Sequence, residues 1–207
     1  MVLGHRATTG VSKTCVALAT ATFALAACGG PAAHPPAGSA APATAANTGS
    51  TAPARGFHLP ASLLGLNQST TATATQATLH AVSVLKTQPV FADPSAAFYQ
   101  NVSGGPLILV YGSALSSAGK SQLNGDLASF TKGFAAGSGA VGAKSFPAGP
   151  LGGVLECGDI TANGTAGIAC AWADQATVGA VIYTLGAAAS LSEAASKTIQ
   201  IRSTVEL

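Results

Sequence analysis

Two cysteines placed symmetrically about an Asn-Gly dipeptide constrain the fold of this chain more than any other feature. Asn163-Gly164 separates two apolar segments, and in that setting Asn-Gly is the strongest short signal for a β-hairpin with a two-residue type I′ turn. Such a turn pairs residues whose numbers add up to 327, and Cys157 and Cys170 meet this condition. Alternation outward from the turn makes them a non-hydrogen-bonded pair, with Cα atoms about 4.5 Å apart. The register therefore predicts adjacent strands with the cysteines in reach of a disulfide.

The same register predicts which side chains share a face of the hairpin, because side chains alternate along a strand. The side that carries the cysteines also carries two further cross-strand pairs, Leu155–Trp172 and Asp159–Ile168. We expect this side to face the core, with the disulfide next to Trp172. Glu156 and Ala171 are expected to point the other way.

The first 27 residues have the pattern of a secretion signal. Residues 1–14 contain two basic residues and no acid, and residues 16–27 are apolar; these are the n- and h-regions of a signal peptide. The apolar run is shorter than the ~20 residues that a membrane span needs. It ends in Leu25-Ala26-Ala27-Cys28, which resembles the bacterial lipobox, where the cysteine is acylated and becomes the mature N-terminus. The alternative is an ordinary signal peptide cleaved near Ala27.

The lipobox interpretation predicts the cellular location of the protein and a role for each of its cysteines. A lipid on Cys28, with palmitate as one acyl group, would anchor the protein to the membrane at its extracytoplasmic face. Cys15 would leave with the signal peptide, so Cys157 and Cys170 would be the two remaining thiols in an oxidising compartment. We therefore predict a disulfide between them, which in the unfolded-chain model contributes ~3 kcal/mol.

Composition divides the rest of the chain in two. Residues 29–56 consist almost entirely of Pro, Ala, Gly, Ser and Thr, with no acid and no large apolar side chain. Such a segment cannot bury enough surface to offset the entropy of ordering. We assign residues 1–27 to the signal peptide, 28–56 to the lipidated cysteine and a disordered tether, and 57–207 to a globular domain.

Hydrophobic periodicity predicts an α+β fold for residues 57–207. The expected order is strand, helix, two strands, helix, four strands, helix. The first helix covers residues 73–86, and a capping box at Ser190 and Glu193 opens the last. The middle helix presents one apolar face, formed by Leu123, Leu127, Phe130 and Phe134. We expect a single antiparallel β-sheet of about five to seven strands with helices packed mainly on one face.

The last third of the chain carries a further pattern. Its parts are Gly152-Gly153, Cys157-Gly158 and Cys170-Ala171-Trp172-Ala173-Asp174, followed by Thr177 and Gly179. The pattern resembles uncharacterised exported proteins and lipoproteins of actinobacteria, which share Gly-Gly…Cys-Gly…Cys-x-Trp-x-Asp near the C-terminus. The resemblance supports the exported location and the disulfide, and it implies no activity.

Nucleic-acid, metal and cofactor sites are not predicted. From Cys28 onward, five Lys and two Arg balance seven acids, whereas nucleic-acid binding needs a basic surface. The domain contains two histidines, His58 and His80, without the three or four converging ligands that a zinc site requires. Gly152-Gly153 lacks the strand–loop–helix context of a phosphate-binding loop.

No catalytic residue is predicted either. The chain lacks a Gly-x-Ser-x-Gly nucleophile motif and has no His in its C-terminal half. Trp172 and Asp174 are the two residues with a possible ligand-binding or structural role; we expect Trp172 in the core and Asp174 bonded to its own turn.

Our leading hypothesis for the function is a non-enzymatic module of the cell envelope that binds another protein or a small ligand. One alternative is an envelope hydrolase that uses Asp174 with Glu156 or Asp159. The other is a structural accessory lipoprotein.

Overall fold

The computed structural model describes residues 55–101, 103–123, 126–162 and 164–207. The predicted signal peptide, Cys28 and residues 29–54 of the tether lie outside the described residues, as does Asn163. Arg55 and Gly56, at the end of the predicted tether, contact the C-terminus: the Gly56 amide donates to the Leu207 carbonyl at 2.6 Å. In the described part of the chain, no helix is both long and apolar enough to cross a membrane.

The described residues form eight strands and four helices. The N-terminal elements are β1 (Ser62–Leu63), β2 (Leu66–Gln68), α1 (Ala72–Lys86), β3 (Ser95–Gln100) and β4 (Leu107–Ala114). The remaining elements are α2 (Ser117–Leu123), α3 (Leu127–Gly137), β5 (Val141–Phe146), β6 (Val154–Ala162), β7 (Thr165–Ala173), β8 (Thr177–Thr184) and α4 (Leu191–Val205).

All eight strands belong to one antiparallel sheet in the order β1-β2-β3-β4-β8-β7-β6-β5. The single antiparallel sheet confirms the predicted fold class, but the strand number is eight rather than five to seven. The difference arises near the N-terminus, where β1 and β2 form a minimal hairpin with positive φ at Leu64 and Gly65. Strands of two and three residues are too short to produce a detectable alternation.

Helices cover both faces of the sheet, but α1, α2 and α3 pack on one face and α4 alone on the other, in agreement with the expectation of helices mainly on one face. Helix α4 packs on the face that carries Cys170 and Trp172, which we call the α4 face. Helices α1 and α3 pack on the opposite face, which carries Ala171 and Ala180 and which we call the α1/α3 face. The reason for cover on both faces lies in the central strands: Ala171 on one face and Trp172 on the other are both fully buried. A sheet that is apolar on both sides requires cover on both sides.

The helix predicted through Leu123 and Phe134 is two helices. Helix α2 ends at Leu123, and α3 begins after Asp126, whose side chain accepts a hydrogen bond from the Ser129 amide at 2.9 Å. This is a standard N-cap. The N-cap half of the predicted capping box of α4 is present, because the Ser190 hydroxyl accepts from the Glu193 amide at 3.2 Å, whereas the Glu193 carboxylate accepts from the Ala189 amide at 2.9 Å instead of that of Ser190.

The hairpin of β6 and β7 has the predicted register. Cys157 lies opposite Cys170 and forms the predicted disulfide, with Cα atoms 4.0 Å apart. Gly164 has a φ of 76°, as a type I′ turn requires. On the α4 face, Trp172 of β7 pairs with Gly179 of β8. A Cβ atom added at Gly179 would lie 2.4 Å from the indole ring of Trp172. Glycine at 179 therefore makes room for Trp172.

Candidate functional site

Trp172 lies in the core of the α4 face. Its side chain is fully buried. The ring centroid lies 6.4 Å from that of Phe57, and the guanidinium carbon of Arg202 is 5.7 Å from the indole centroid. These contacts give Trp172 a packing role with a cation–π component.

Asp174 stabilises the turn between β7 and β8 from a buried position. Its Oδ1 accepts hydrogen bonds from the amides of Ala176 at 2.7 Å and Thr177 at 3.0 Å. Its Oδ2 accepts from Arg55 Nη2 at 2.7 Å and from Arg202 Nη2 at 2.8 Å. Both carboxylate oxygens are therefore occupied, which leaves Asp174 without a position for general acid or base chemistry.

The arginines that bind Asp174 also bind Glu206, so four charged side chains form one network. Glu206 Oε1 accepts from Arg202 Nε at 2.8 Å, and Oε2 accepts from Arg55 Nη1 at 2.7 Å. Arg202 Nη1 donates to the carbonyls of Ala148 and Gly152 at 2.8 and 3.0 Å. The two arginines balance the two carboxylates, and the network joins the N-terminal segment, α4 and the β7–β8 turn. Its geometry is that of a structural element.

The acids considered for a hydrolase do not converge. Glu156 lies on the α1/α3 face, where it pairs with Ala171 across β6 and β7. Asp159 is exposed and pairs with Ile168. Ile168 precedes Asp174 by six residues, which corresponds to roughly 20 Å along the strand. Within the described residues, moreover, no three His, Cys, Asp or Glu side chains are grouped to hold a metal ion.

A cavity of about 630 Å³ lies on the α1/α3 face, and the spacing of the helices explains it. Helix α1 contacts β3, whereas α3 contacts β5, β6 and β7. From β3 to β7 the sheet order gives three strand spacings, or about 14 Å, whereas two packed helices lie only about 8–10 Å apart. The central strands β4 and β8 are therefore only partly covered around Leu109 and Ile182, both of which are half-buried.

The floor of the cavity is a row of large apolar side chains across three strands. Phe98 of β3 pairs with Leu109 of β4, which pairs with Ile182 of β8, and all three are only partly buried. The next row carries Tyr111 between two alanines, Ala96 and Ala180. Both alanines are buried, and of that row only Tyr111 lines the cavity.

The α3 wall is shaped by glycines. Phe130, Gly133, Phe134 and Gly137 line the cavity at the spacing of one helical face. A core-facing helix normally fills these positions with large side chains, and glycine inside a helix costs about 0.5–1 kcal/mol relative to alanine. A Cβ atom added at Gly133 or Gly137 would meet no atom within 4 Å. The two glycines thus leave open space along the face of α3.

Aromatic rings close one end of the cavity. The Phe134 ring lies 6.0 Å from Phe91, 5.9 Å from Tyr111 and 6.1 Å from Phe130. Burial raises the pKa of Tyr111 to about 12, so its hydroxyl stays protonated at neutral pH. Because the Ser138 hydroxyl donates to the Phe134 carbonyl at 2.9 Å, Tyr111 is the donor in its 2.6 Å hydrogen bond with Ser138. The Tyr111 hydroxyl, the polar group at this aromatic end, therefore already has a hydrogen-bond partner.

Among the described residues that line the cavity, none is Lys, Arg, Asp or Glu. Lys86 and Lys132 belong to α1 and α3 but do not line the cavity. The polar residues of the lining that are exposed are Gln76, His80, Gln122 and Ser129, and we call these four the rim. An apolar interior with a few polar groups at the rim is typical of a small-molecule binding site.

Sequence reasoning missed the cavity, although one signal was present. The apolar stripe of the middle helix was recognised through Phe130 and Phe134, but Gly133 and Gly137 occupy the same helical face. Trp172 and Asp174, the residues singled out from sequence, lie in the core and in the buried ion network instead.

In comparisons with known proteins, no family model, curated protein or solved structure matches this chain.

Proposed function

We propose that this protein is a non-enzymatic, lipid-anchored module of the cell envelope that binds a small apolar molecule in the cavity between α1 and α3. The observation that carries the proposal is the largely apolar cavity of about 630 Å³, a volume within the range of ligand pockets, about 300–1,000 Å³. Cys28 would supply the anchor, and the tether would separate the domain from the lipid surface.

Two features support binding over a purely structural role. Helix α3 carries glycine at two lining positions, the exposed Gly133 and the half-buried Gly137, where a larger side chain would fit and would favour the helix. In addition, α1 is a fifteen-residue helix with Leu85 as its one buried residue, so it covers the sheet without packing tightly on it. Both features preserve space at a cost in stability, as binding sites commonly do.

The test fills the cavity from the α3 side. Gly133→Leu places a branched apolar side chain in open space and replaces a poor helix former with a good one, which favours the helix by about 1 kcal/mol. We expect the variant to fold at least as stably as the original chain and to bind N-phenyl-1-naphthylamine, a neutral fluorescent apolar probe, at least about tenfold more weakly, equivalent to ~1.4 kcal/mol.

Ala136→Leu is the matched control, because Ala136 is an exposed residue of the same helix that does not line the cavity. It adds a similar side chain and should leave probe affinity unchanged. Both proteins are prepared as full chains with Cys28→Ser, so that no covalent acyl chain competes for the site. Equal probe affinity in the Gly133→Leu and Ala136→Leu variants would refute binding in this cavity.

A further inference from the structure

We infer that the ligand of this cavity is an uncharged amphiphile with a single long hydrocarbon chain, its chain lying along the sheet between α1 and α3 and its polar end at the rim. The inference rests on the proposed binding function and specifies the ligand class. It follows from four properties of the cavity: the strands of its floor are already paired on both sides, the space between α1 and α3 is limited, the described lining contains no Lys or Arg, and its exposed polar side chains lie at the rim.

An extended peptide does not suit the site. Peptides that bind as an added strand pair with an exposed sheet edge. The floor here consists of β4 and β8, and each is already paired on both sides, β4 with β3 and β8, and β8 with β4 and β7. The backbone amides and carbonyls of a peptide in this cavity would find no ladder to join, and each one left unpaired would carry a desolvation cost.

A helix is too large. A helix lying on the floor between α1 and α3 would need about 8–10 Å to each neighbour, or about 16–20 Å between them, whereas the three strand spacings from β3 to β7 give about 14 Å. The predicted tether is no candidate either, because residues 29–54 contain no large apolar side chain to fill an aromatic-lined space. A hydrocarbon chain has no backbone polar groups to satisfy, and it fits the narrow space between the two helices.

The charge of the lining selects among lipids. A carboxylate or phosphate is held by Lys, Arg or a protonated His; among the described lining residues neither Lys nor Arg occurs, and His80 at the rim is the one side chain able to carry a positive charge. The rim instead offers the amides of Gln76 and Gln122 and the Ser129 hydroxyl, which donate and accept neutral hydrogen bonds. Because the interior is apolar and these groups stand at the solvent side, the rim suits a hydroxyl, ester or amide end group.

The experiment measures displacement of N-phenyl-1-naphthylamine from the full chain carrying Cys28→Ser. The competitors are monopalmitoylglycerol and palmitate, which share one chain and differ in the charge of the end group, each below its aggregation concentration. We expect monopalmitoylglycerol to displace the probe at least about tenfold more strongly than palmitate, since no Lys or Arg of the described lining is available to pair with the carboxylate. Equal or stronger displacement by palmitate would overturn the inference.

A charge introduced at the rim provides a second readout. Gln76→Lys replaces an exposed side chain of α1 with another good helix former and supplies the missing cation. The variant should strengthen palmitate binding about tenfold while the affinity for monopalmitoylglycerol stays within about twofold. If palmitate binding does not rise, the end group does not lie at the rim and the inference fails.

The outcomes separate the two proposals. If the probe binds, Gly133→Leu blocks it and neither single-chain competitor displaces it, the ligand class is wrong and the binding function stands. If Gly133→Leu and Ala136→Leu bind the probe equally, the binding function itself fails.

Discussion

The buried ion network predicts a large and asymmetric response to substitution of Arg202. Arg202 is 1% exposed and donates to both Asp174 and Glu206, whose side chains are 5% and 0% exposed. Arg202→Met keeps an apolar stem of similar length but removes every one of these hydrogen bonds. The cluster then holds two carboxylates against Arg55 alone, so its net charge changes from zero to negative.

The expected cost follows from that imbalance. Removing one partner of a buried ion pair typically costs about 3–5 kcal/mol, because the remaining charge loses its compensation in a low-dielectric site. For a domain of this size the loss corresponds to a fall in melting temperature of roughly 6–20 °C. Arg202→Lys should also destabilise the domain, because an ammonium group cannot bind two carboxylates and two carbonyls in the planar arrangement that guanidinium allows.

Urea unfolding with the disulfide intact measures the effect, and Trp172, the one Trp of the chain, reports it by fluorescence. Lys197→Met is the control, since Lys197 pairs with Glu193 on the same helix but with side chains 31% and 42% exposed. Pairs of that kind contribute about 0.3–0.5 kcal/mol. If Arg202→Met costs less than about 1 kcal/mol, or no more than Lys197→Met, the assignment of a stabilising role to the network is wrong.

Three further predictions can be tested independently. Cys157→Ser should expose one free thiol, that of Cys170, to a labelling reagent and destabilise the domain by ~3 kcal/mol; labelling of Cys157 or Cys170 in the unsubstituted, unreduced protein would contradict the disulfide. Cys28→Ala should release the protein into the medium or leave it uncleaved in the membrane, so unchanged processing and detergent partitioning would contradict lipidation. Burial raises the pKa of Tyr99 and Tyr111 to about 12 and that of Tyr183 further. The folded state therefore holds these protons above the ordinary tyrosine pKa of about 10, and the resulting stability is fully present below pH 10 and is lost as the pH rises toward 12. An ultraviolet titration should thus show phenolate forming together with unfolding; independent ionisation near pH 10 would contradict their burial.

The parts of the fold that could be predicted are those set by local chemistry. The Asn163-Gly164 turn determines a register, and the register alone places Cys157 opposite Cys170 and Trp172 on the cysteine side of the hairpin. The N-cap at Ser190 depends on one side chain and the amide three residues later. Such features need no knowledge of distant contacts.

The parts that could not be predicted depend on residues far apart in sequence. Arg55 and Asp174 are 119 positions apart, yet they form an ion pair, and neither is distinguished by its neighbours along the chain. The placement of helices on both faces depends on Ala171 and Ala180 being covered, and alanine occurs in every type of element in this chain. Alternation cannot separate a buried alanine from an exposed one.

The cavity was hidden from sequence for a related reason, and its position has a consequence for how the domain works. It arises because α1 and α3 stand over β3 and β7 with β4 and β8 between them, which is a property of the strand order. The disulfide, Trp172 and the ion network all lie on the α4 face, whereas the cavity lies on the other side of the same sheet. Because the stabilising contacts and the binding site share the sheet but no side chains, the domain can leave space open between α1 and α3 while the α4 face holds the fold together.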